Sequence, residues 1–304
     1  MKKTEAFFKF QNTDGSGKDE FVLPFCPAGI RFSVGYKRKK KGDLQERGGS
    51  VSKKSVEQQL FSGVTMSMHL IFDKSREGTS VKSDVERLML ELRESLSDRQ
   101  SMFCWGTTIF QGVLEQVSAN YVMFGPDGAA LRAEMDVTVA CREKEALKQF
   151  FQADYETIFK PKNSVKHREG KAVLTVKGNE RDKEYQVQYN PGSIQCTRNR
   201  EISLAGKDSG RAADNPAQHT FAEDGSLSLE LLFTGKETQT QVNGLLGMKV
   251  IDDQKPVALC WGEQYFLGWI SSVQGEYTSF QNNGEPDSGK VSLTISGTEY
   301  EISI

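Results

Sequence analysis

Residues 104–114, Cys-Trp-Gly-Thr-Thr-Ile-Phe-Gln-Gly-Val-Leu, and residues 260–270, Cys-Trp-Gly-Glu-Gln-Tyr-Phe-Leu-Gly-Trp-Ile, are two versions of one segment. The offset is 156 residues (261 − 105), and it holds without a gap for more than thirty positions. Phe110 matches Phe266, Gly112 matches Gly268, Tyr121 matches Tyr277, Phe124 matches Phe280, Gly128 matches Gly284 and Thr138 matches Thr294. Upstream, with small gaps, Pro27 and Ile30 match Pro191 and Ile194, and Phe61 matches Phe221. A repeat of this size decides the fold before any single element does, because one folding module is written twice. A duplicated module builds symmetric surfaces more readily than one active site.

The strongest strand signal lies just inside the repeat. In residues 64–72, Met66, Met68, Leu70 and Phe72 alternate with Ser67 and His69; in residues 226–233, Leu227, Leu229, Leu231 and Phe233 alternate with Ser228 and Glu230. Period-two alternation marks a half-buried strand with one apolar face. Each copy then carries one helical segment. Residues 81–96 place Val85, Leu88, Met89, Leu92 and Leu96 on one face, with Ser83-Asp84 as a capping signal at the start. The matching residues 238–251 keep Val242, Leu245 and Leu246 but contain Gly244 and Gly247. An interior glycine costs about 1 kcal/mol relative to alanine, so the second helix is expected to be shorter or irregular.

Trp-Gly-Thr-Thr and Trp-Gly-Glu-Gln read as tight turns between a strand ending at Trp105 or Trp261 and the strand after it. Further strands are expected at 121–124 and 133–140, and at 277–280 and 290–296, with turns at 125–128 and 281–284. Each module therefore has five or six mostly antiparallel strands and one flanking helix. The fold class is mainly β, as two tandem β-barrels. The modules are assigned to residues 1–141 and 171–304, joined by a helical linker at 142–170. In that linker Leu147, Phe150, Phe151, Tyr155, Ile158 and Phe159 form an apolar stripe that ends at Pro161.

Composition excludes several classes. The 304 residues carry a net charge of −2, too balanced for whole-chain attraction to nucleic acid or an anionic membrane. No apolar run approaches the roughly 18 residues of a membrane span. The first fifteen residues contain three lysines but no apolar core of a secretory signal, so assembly in the cytoplasm is expected. The five cysteines (Cys26, Cys104, Cys141, Cys196, Cys260) are odd in number and far apart, which argues against a disulfide framework or a zinc site.

No catalytic, cofactor-binding or metal-ligating residues are assigned, and no cofactor is expected. His69, His167 and His219 are scattered over strand, linker and loop, and no GxSxG, HExxH, P-loop or Rossmann fingerprint occurs. Asp208, Asp214, Glu223 and Asp224 read as solvated loop charges. The basic run at 37–41 lacks the interleaved aromatics of single-strand binders and reads as an exposed loop tip meeting an acidic neighbour. Trp105, Trp261, Trp269, Phe110, Phe266, Tyr121 and Tyr277 read as core residues rather than a ligand cage.

The ordered residues of the second copy carry a resemblance. They are Asn190-Pro191 with Ile194, Thr220-Phe221, Gly225 to Phe233 with Glu230, Pro256, Trp261-Gly262, Phe266, Gly268, Tyr277, Phe280, Gly284 and Pro286. This series resembles the tube-type domain of contractile injection systems, found in the baseplate adaptor that links the inner tube to the hub and spike. The first copy is more divergent, with Cys26 in place of the asparagine and Leu60-Phe61 in place of Thr-Phe. The resemblance implies two tandem tail-tube-like barrels in a non-enzymatic structural protein of a phage-tail-like particle. It implies a homo-oligomeric ring around a channel, either a hexamer or a trimer acting as a pseudo-hexamer. The implied partners are the inner tube protein, the baseplate hub or spike, and wedge or sheath components, with no membrane segment and no specific nucleic acid. The alternatives are a phage tail-tube initiator and, from another class, a tandem β-barrel that binds or hydrolyses a small ligand. In the ring, the polar segments 36–54 and 200–218 are the expected contacts between stacked layers.

Overall fold

The computed structural model of the chain describes residues 5–11, 18–38, 59–94, 100–164, 166–204, 219–297 and 300–302. In chain order come β1 (Phe7–Gln11), β2 (Lys18–Val22), β3 (Ile30–Arg38), β4 (Gln59–Asp73) and helix α1 (Lys82–Glu94). β5 (Gln100–Trp105), β6 (Thr108–Phe124) and β7 (Ala130–Cys141) complete the first copy, and helix α2 (Lys144–Ile158) follows. Next are β8 (Lys160–Pro161), β9 (Val173–Val176), β10 (Lys183–Gln186), β11 (Ile194–Leu204) and β12 (His219–Thr234). Helix α3 (Thr238–Ile251), β13 (Val257–Trp261), β14 (Gln264–Phe280), β15 (Pro286–Gly297) and β16 (Tyr300–Ile302) close the series. The class is mainly β with antiparallel ladders, as the alternation predicts.

Each copy follows one strand order, β3-β4-β7-β6-β5-β1-β2 in the first and β11-β12-β15-β14-β13-β9-β10 in the second. The registers agree as well. Ile30 lies opposite Met68 and Phe32 opposite Met66, while Ile194 lies opposite Leu229 and Cys196 opposite Leu227. Trp105 faces Thr108 as Trp261 faces Gln264. Among the described residues the ladders form open series rather than a closed ring of hydrogen bonds. In the first copy the free edge of β3 is taken instead by Gln274–Tyr277 of β14.

The chain has two compact units. The first holds the described residues up to Ile158 together with Leu232–Ile251 and Gln274–Val291; the second holds Phe159–Leu231, Asp252–Val273 and the described residues from Ser292 onward. The core of the first unit is built by the alternation that the sequence shows, with Met66, Met68, Leu70 and Phe72 buried along β4. Opposite them lie Met135, Val137 and Val139 of β7, and Phe8 and Phe10 of β1 are buried too, with the Phe8 ring 5.3 Å from Phe103 of β5. In the second unit Leu227, Leu229 and Leu231 are buried with Leu174, Val176, Leu259, Leu293 and Ile295.

Among the described residues the first copy has seven strands and the second eight, counting β16 on β14, rather than five or six, and each copy gains a hairpin, β1-β2 or β9-β10. These strands are four or five residues long, too short for a clear alternation, and three of the four residues of β9 are buried. In the other direction, β6 fuses two expected strands into one of 17 residues. Shifts in its register with β7 near Leu114 and Tyr121 absorb the extra residues. Parts of the expected loops 36–54 and 200–218 are strand instead, since β3 runs to Arg38, β11 runs to Leu204, and β12 starts at His219. What remains of them, residues 39–54 and 205–218, lies outside the described residues.

Two further expectations are corrected. The α1 start is capped by Ser80, whose Oγ accepts the Lys82 amide at 3.2 Å, while Asp84 instead pairs with Lys74 at 2.6 Å. Helix α3 is neither short nor irregular, running 14 residues against 13 for α1. Its glycines serve a helix crossing. A Cβ added to Gly244 would stand 2.6 Å from Ile158 Cδ1 and 2.9 Å from the Asp154 carbonyl, and one on Gly247 would stand 2.9 Å from Phe151 Cβ. The packing of α2 on α3 offsets the helix-propensity cost, as tertiary contacts commonly do.

Candidate assembly surface

The functional surface of a duplicated β module is its edges, because an open edge presents unpaired backbone donors and acceptors. In the first unit one such edge is occupied. Ile30, Arg31, Phe32 and Ser33 of β3 lie opposite Tyr277, Glu276, Gly275 and Gln274 of β14, so first-copy and second-copy strands form one antiparallel ladder. Ile30 and Phe32 are fully buried there and Tyr277 is 1% exposed. The Phe32 ring meets Tyr277 at 5.4 Å and Phe110 at 5.7 Å, both edge-on. At the rim, Arg31 donates to Glu276 at 3.3 Å and Lys290 approaches the same carboxylate at 3.7 Å. These exposed ion pairs contribute about 0–1 kcal/mol and mainly set register.

The hairpin of the first copy completes this joint. Gly106, at the first turn position with φ of 58°, folds β5 onto β6 as a two-residue turn, and Gly262 does the same at 60°. Trp105 then packs on Phe280 at 4.2 Å between centroids, and its indole sits so near Gly284 that an added Cβ would come within 2.6 Å. Thr107 Oγ1 donates to Gln239 Oε1 at 2.5 Å, and Gln239 Nε2 donates to the Thr107 carbonyl at 3.2 Å.

A polar chain, buried at Tyr277 and Asn243 and half-buried at Asp154, ties β14 to α3 and α2. Tyr277 OH donates to Asn243 Oδ1 at 2.7 Å, and Asn243 Nδ2 donates to Asp154 Oδ2 at 2.8 Å. Burial, then the neighbouring Asp154 carboxylate, pushes the Tyr277 phenol well above the ordinary tyrosine range. The unfolded phenol ionises near pH 10 while the folded one stays protonated, so this stability is complete below about pH 10 and lost as pH rises beyond it. A thermal-melting series from pH 9 to 11.5 should show alkaline destabilisation approaching 1.4 kcal/mol per pH unit, with a shallower slope in Tyr277→Phe. Equal slopes for the two proteins would remove Tyr277 from the account. At neutral pH the same variant should lose about 1–2 kcal/mol, since Asn243 Oδ1 is left without its donor.

The other residues singled out in the sequence do not converge. His69 on β4 pairs with Asp136 at 2.9 Å across the ladder to β7, and His167 pairs with Glu184 at 3.0 Å. His219 stands in β12 rather than in a loop. Lys37 and Arg38 end β3, Glu223 and Asp224 lie in β12, and residues 39–41, Asp208 and Asp214 fall outside the described residues. Cys104 and Cys260 are half-buried strand residues, and burial raises the Cys260 thiol. Among the described residues no three His, Cys, Asp or Glu side chains gather as a metal site. Of the aromatics expected in the core, Trp105, Phe110, Phe266 and Tyr277 are buried. Tyr121 and Trp261 are only half-buried and Trp269 is exposed. The repeat matches Phe124 to Phe280 and Gly128 to Gly284 but assigns none of them a role, because that role depends on which neighbour meets each copy.

The mainly-β module is written twice with one strand order, and its two copies are joined edge to edge inside a single chain. The family model of the contractile injection system tube protein matches residues 5–149 and again 171–302, once per copy, and the chain belongs to that family. No curated protein matches the chain. The family is one of structural tube components, built with other parts of the injection system into a phage-tail-like particle. Among the described residues, no helix is long and apolar enough to cross a membrane.

Proposed function

We propose that this chain is a ring-forming adaptor between the inner tube and the baseplate hub or spike of a contractile injection system. Its successive tube-type modules are residues 1–141 and 171–304, with 142–170 as the helical connector. The observation that carries this reading is the β3·β14 ladder, an edge-to-edge joint between two tube-type copies within one chain. The mechanism is geometric and non-enzymatic. Paired edges satisfy backbone groups that an open sheet leaves exposed, one annular face receives the tube, and the opposite face receives the hub or spike, with wedge or sheath components further out. Six modules surround the channel, and the ring assembles in the cytoplasm before joining the particle.

The test is to mix the purified chain with its tube and hub proteins, separate the products by size, and image them in negative stain. Rings of tube width that bind both partners on opposite faces are the expected result. A chain that captures the tube but never the hub is a tube initiator instead. A compact monomer that ignores both sinks the adaptor reading and returns attention to a small ligand.

A further inference from the structure

Asparagine followed by glycine is chemically labile, because glycine has no Cβ to keep its amide nitrogen away from the preceding carboxamide. The chain writes this pair twice, at Asn243-Gly244 and at Asn283-Gly284. The structure gives the two pairs opposite surroundings. Asn243 is 3% exposed within α3, and both ends of its carboxamide are bound, Oδ1 by Tyr277 OH at 2.7 Å and Nδ2 by Asp154 at 2.8 Å. Gly244 lies inside the helix, where its amide belongs to the backbone ladder. A five-membered imide has no place there.

Asn283 is half-buried in the turn that follows β14. The Glu285 amide donates to Asn283 Oδ1 at 3.1 Å. That oxygen gains charge when the carboxamide is attacked, so the donor polarises Cγ and stabilises the tetrahedral intermediate. The nucleophile is held back. The Gly284 amide donates to the Gln281 carbonyl at 2.9 Å, and the Gln281 amide donates to the Glu285 carbonyl at 2.8 Å. The turn is pinned from outside as well. Trp105 rests on Phe280 at 4.2 Å between centroids, and a Cβ on Gly284 would stand 2.6 Å from Trp105 Cδ1. One on Gly106 would stand 2.6 Å from the Asn283 carbonyl oxygen. While Trp105 stays in place, the peptide between Asn283 and Gly284 cannot rotate toward the carboxamide.

The matched turn of the first copy is the complement. It carries Asp127-Gly128, both exposed, and a Cβ on Gly128 meets nothing within 4 Å. Asp127 Oδ1 accepts the Ala129 amide at 3.1 Å, just as Asn283 accepts that of Glu285. The labile amide therefore stands in the covered turn, the acid stands in the open one, and one turn geometry holds both.

We propose that Asn283 is a site of spontaneous deamidation, prepared by the Glu285 amide and latched by Trp105, so that opening of the joint is recorded covalently. The Gly284 amide nitrogen gives its proton to solvent base and bonds to Asn283 Cγ. The Cγ–Nδ2 bond breaks, and the nitrogen leaves as ammonia with a proton from solvent, which closes a cyclic imide. Water then opens either imide C–N bond. One product is aspartate, which keeps the turn as Asp127 does. The other is isoaspartate, which routes the main chain through the side-chain carbon and draws Gly284 off Trp105.

The test incubates the full chain, its Trp105→Ala and Phe280→Ala variants, and the parent in urea, all in mildly alkaline buffer. Peptide mapping by mass spectrometry follows conversion of amide to acid at both asparagines. In urea both should react. In the folded parent Asn283 should react slowly, with Asn243 unchanged. Either variant should speed Asn283 by about tenfold or more while Asn243 stays protected, because reaction through a local opening follows the opening equilibrium. Asn283→Asp should melt as the parent does, since the first copy holds an acid in the same turn. If Trp105→Ala exposes Asn243 too, that variant has unfolded, and Phe280→Ala, which removes only a half-buried ring, decides alone. Equal Asn283 rates in the parent and Phe280→Ala, with Asn243 protected, overturn the latch. So does a folded parent in which Asn283 reacts as fast as in urea. Acid at 283 in urea but in no folded variant overturns the site itself.

Discussion

Phe32→Ala should cost about 4–5 kcal/mol of unfolding free energy, the largest loss expected from any single truncation in the first unit. Phe32 is fully buried on β3, and its ring stands edge-on to Phe110 of the first copy and to Tyr277 of the second. Removing it opens a cavity where the two copies meet, and each lost aromatic pair adds about 0.5–1.5 kcal/mol to the area term. Phe25→Ala is the matched control. That side chain is 47% exposed, and its truncation should stay within about 0.5 kcal/mol of the parent. Urea denaturation followed by tryptophan fluorescence reads both variants. A Phe32→Ala midpoint corresponding to less than about 1.5 kcal/mol would show that the joint relaxes around the gap and does not depend on this ring.

Gly244→Leu is expected to destabilise by about 3 kcal/mol even though leucine is the better helix former by nearly 1 kcal/mol. The site has no room for a side chain. The first added carbon would already lie 2.6 Å from Ile158 Cδ1, 2.7 Å from Ile158 Cγ1 and 2.9 Å from the Asp154 carbonyl. The Ile158 end can rotate, but the carbonyl belongs to the α2 backbone, so the helix itself must move. That movement also pulls Asp154 from Asn243 and disturbs the chain to Tyr277. Gly192→Leu is the control, because a Cβ there meets nothing within 4 Å. A melting temperature for Gly244→Leu at or above the parent would mean that α2 and α3 do not cross closely in solution.

These expectations mark where sequence reading succeeds and where it stops. The alternation along β4 and β12, the Trp-Gly turns and the α2 stripe were legible because each is a local property. A period of two or 3.6, or a glycine at a positive φ, follows from backbone geometry over a few residues. The short hairpins β1-β2 and β9-β10 were not legible, since strands of four or five residues hold too few alternations to stand out. The α3 glycines were misread for a related reason. Propensity treats Gly244 and Gly247 as costs, and only a second helix brought against them converts the missing Cβ into close contact.

The candidate surface divides in the same way. The match of Phe124 to Phe280 and of Trp261 to Trp105 is plain in the sequence, but a repeat makes matched residues look equivalent. The fold makes them unequal by covering one member of each pair and leaving the other open. By itself the sequence determined the duplication, the mainly-β class, the strands with one apolar face and the family, all of which follow from patterns repeated within each copy. Only the tertiary structure decided that Arg31 meets Glu276 across 245 residues of chain, that α3 takes α2 at its glycines, and which edges remain open. Such pairings depend on which distant segments bury each other, and no local period encodes that choice.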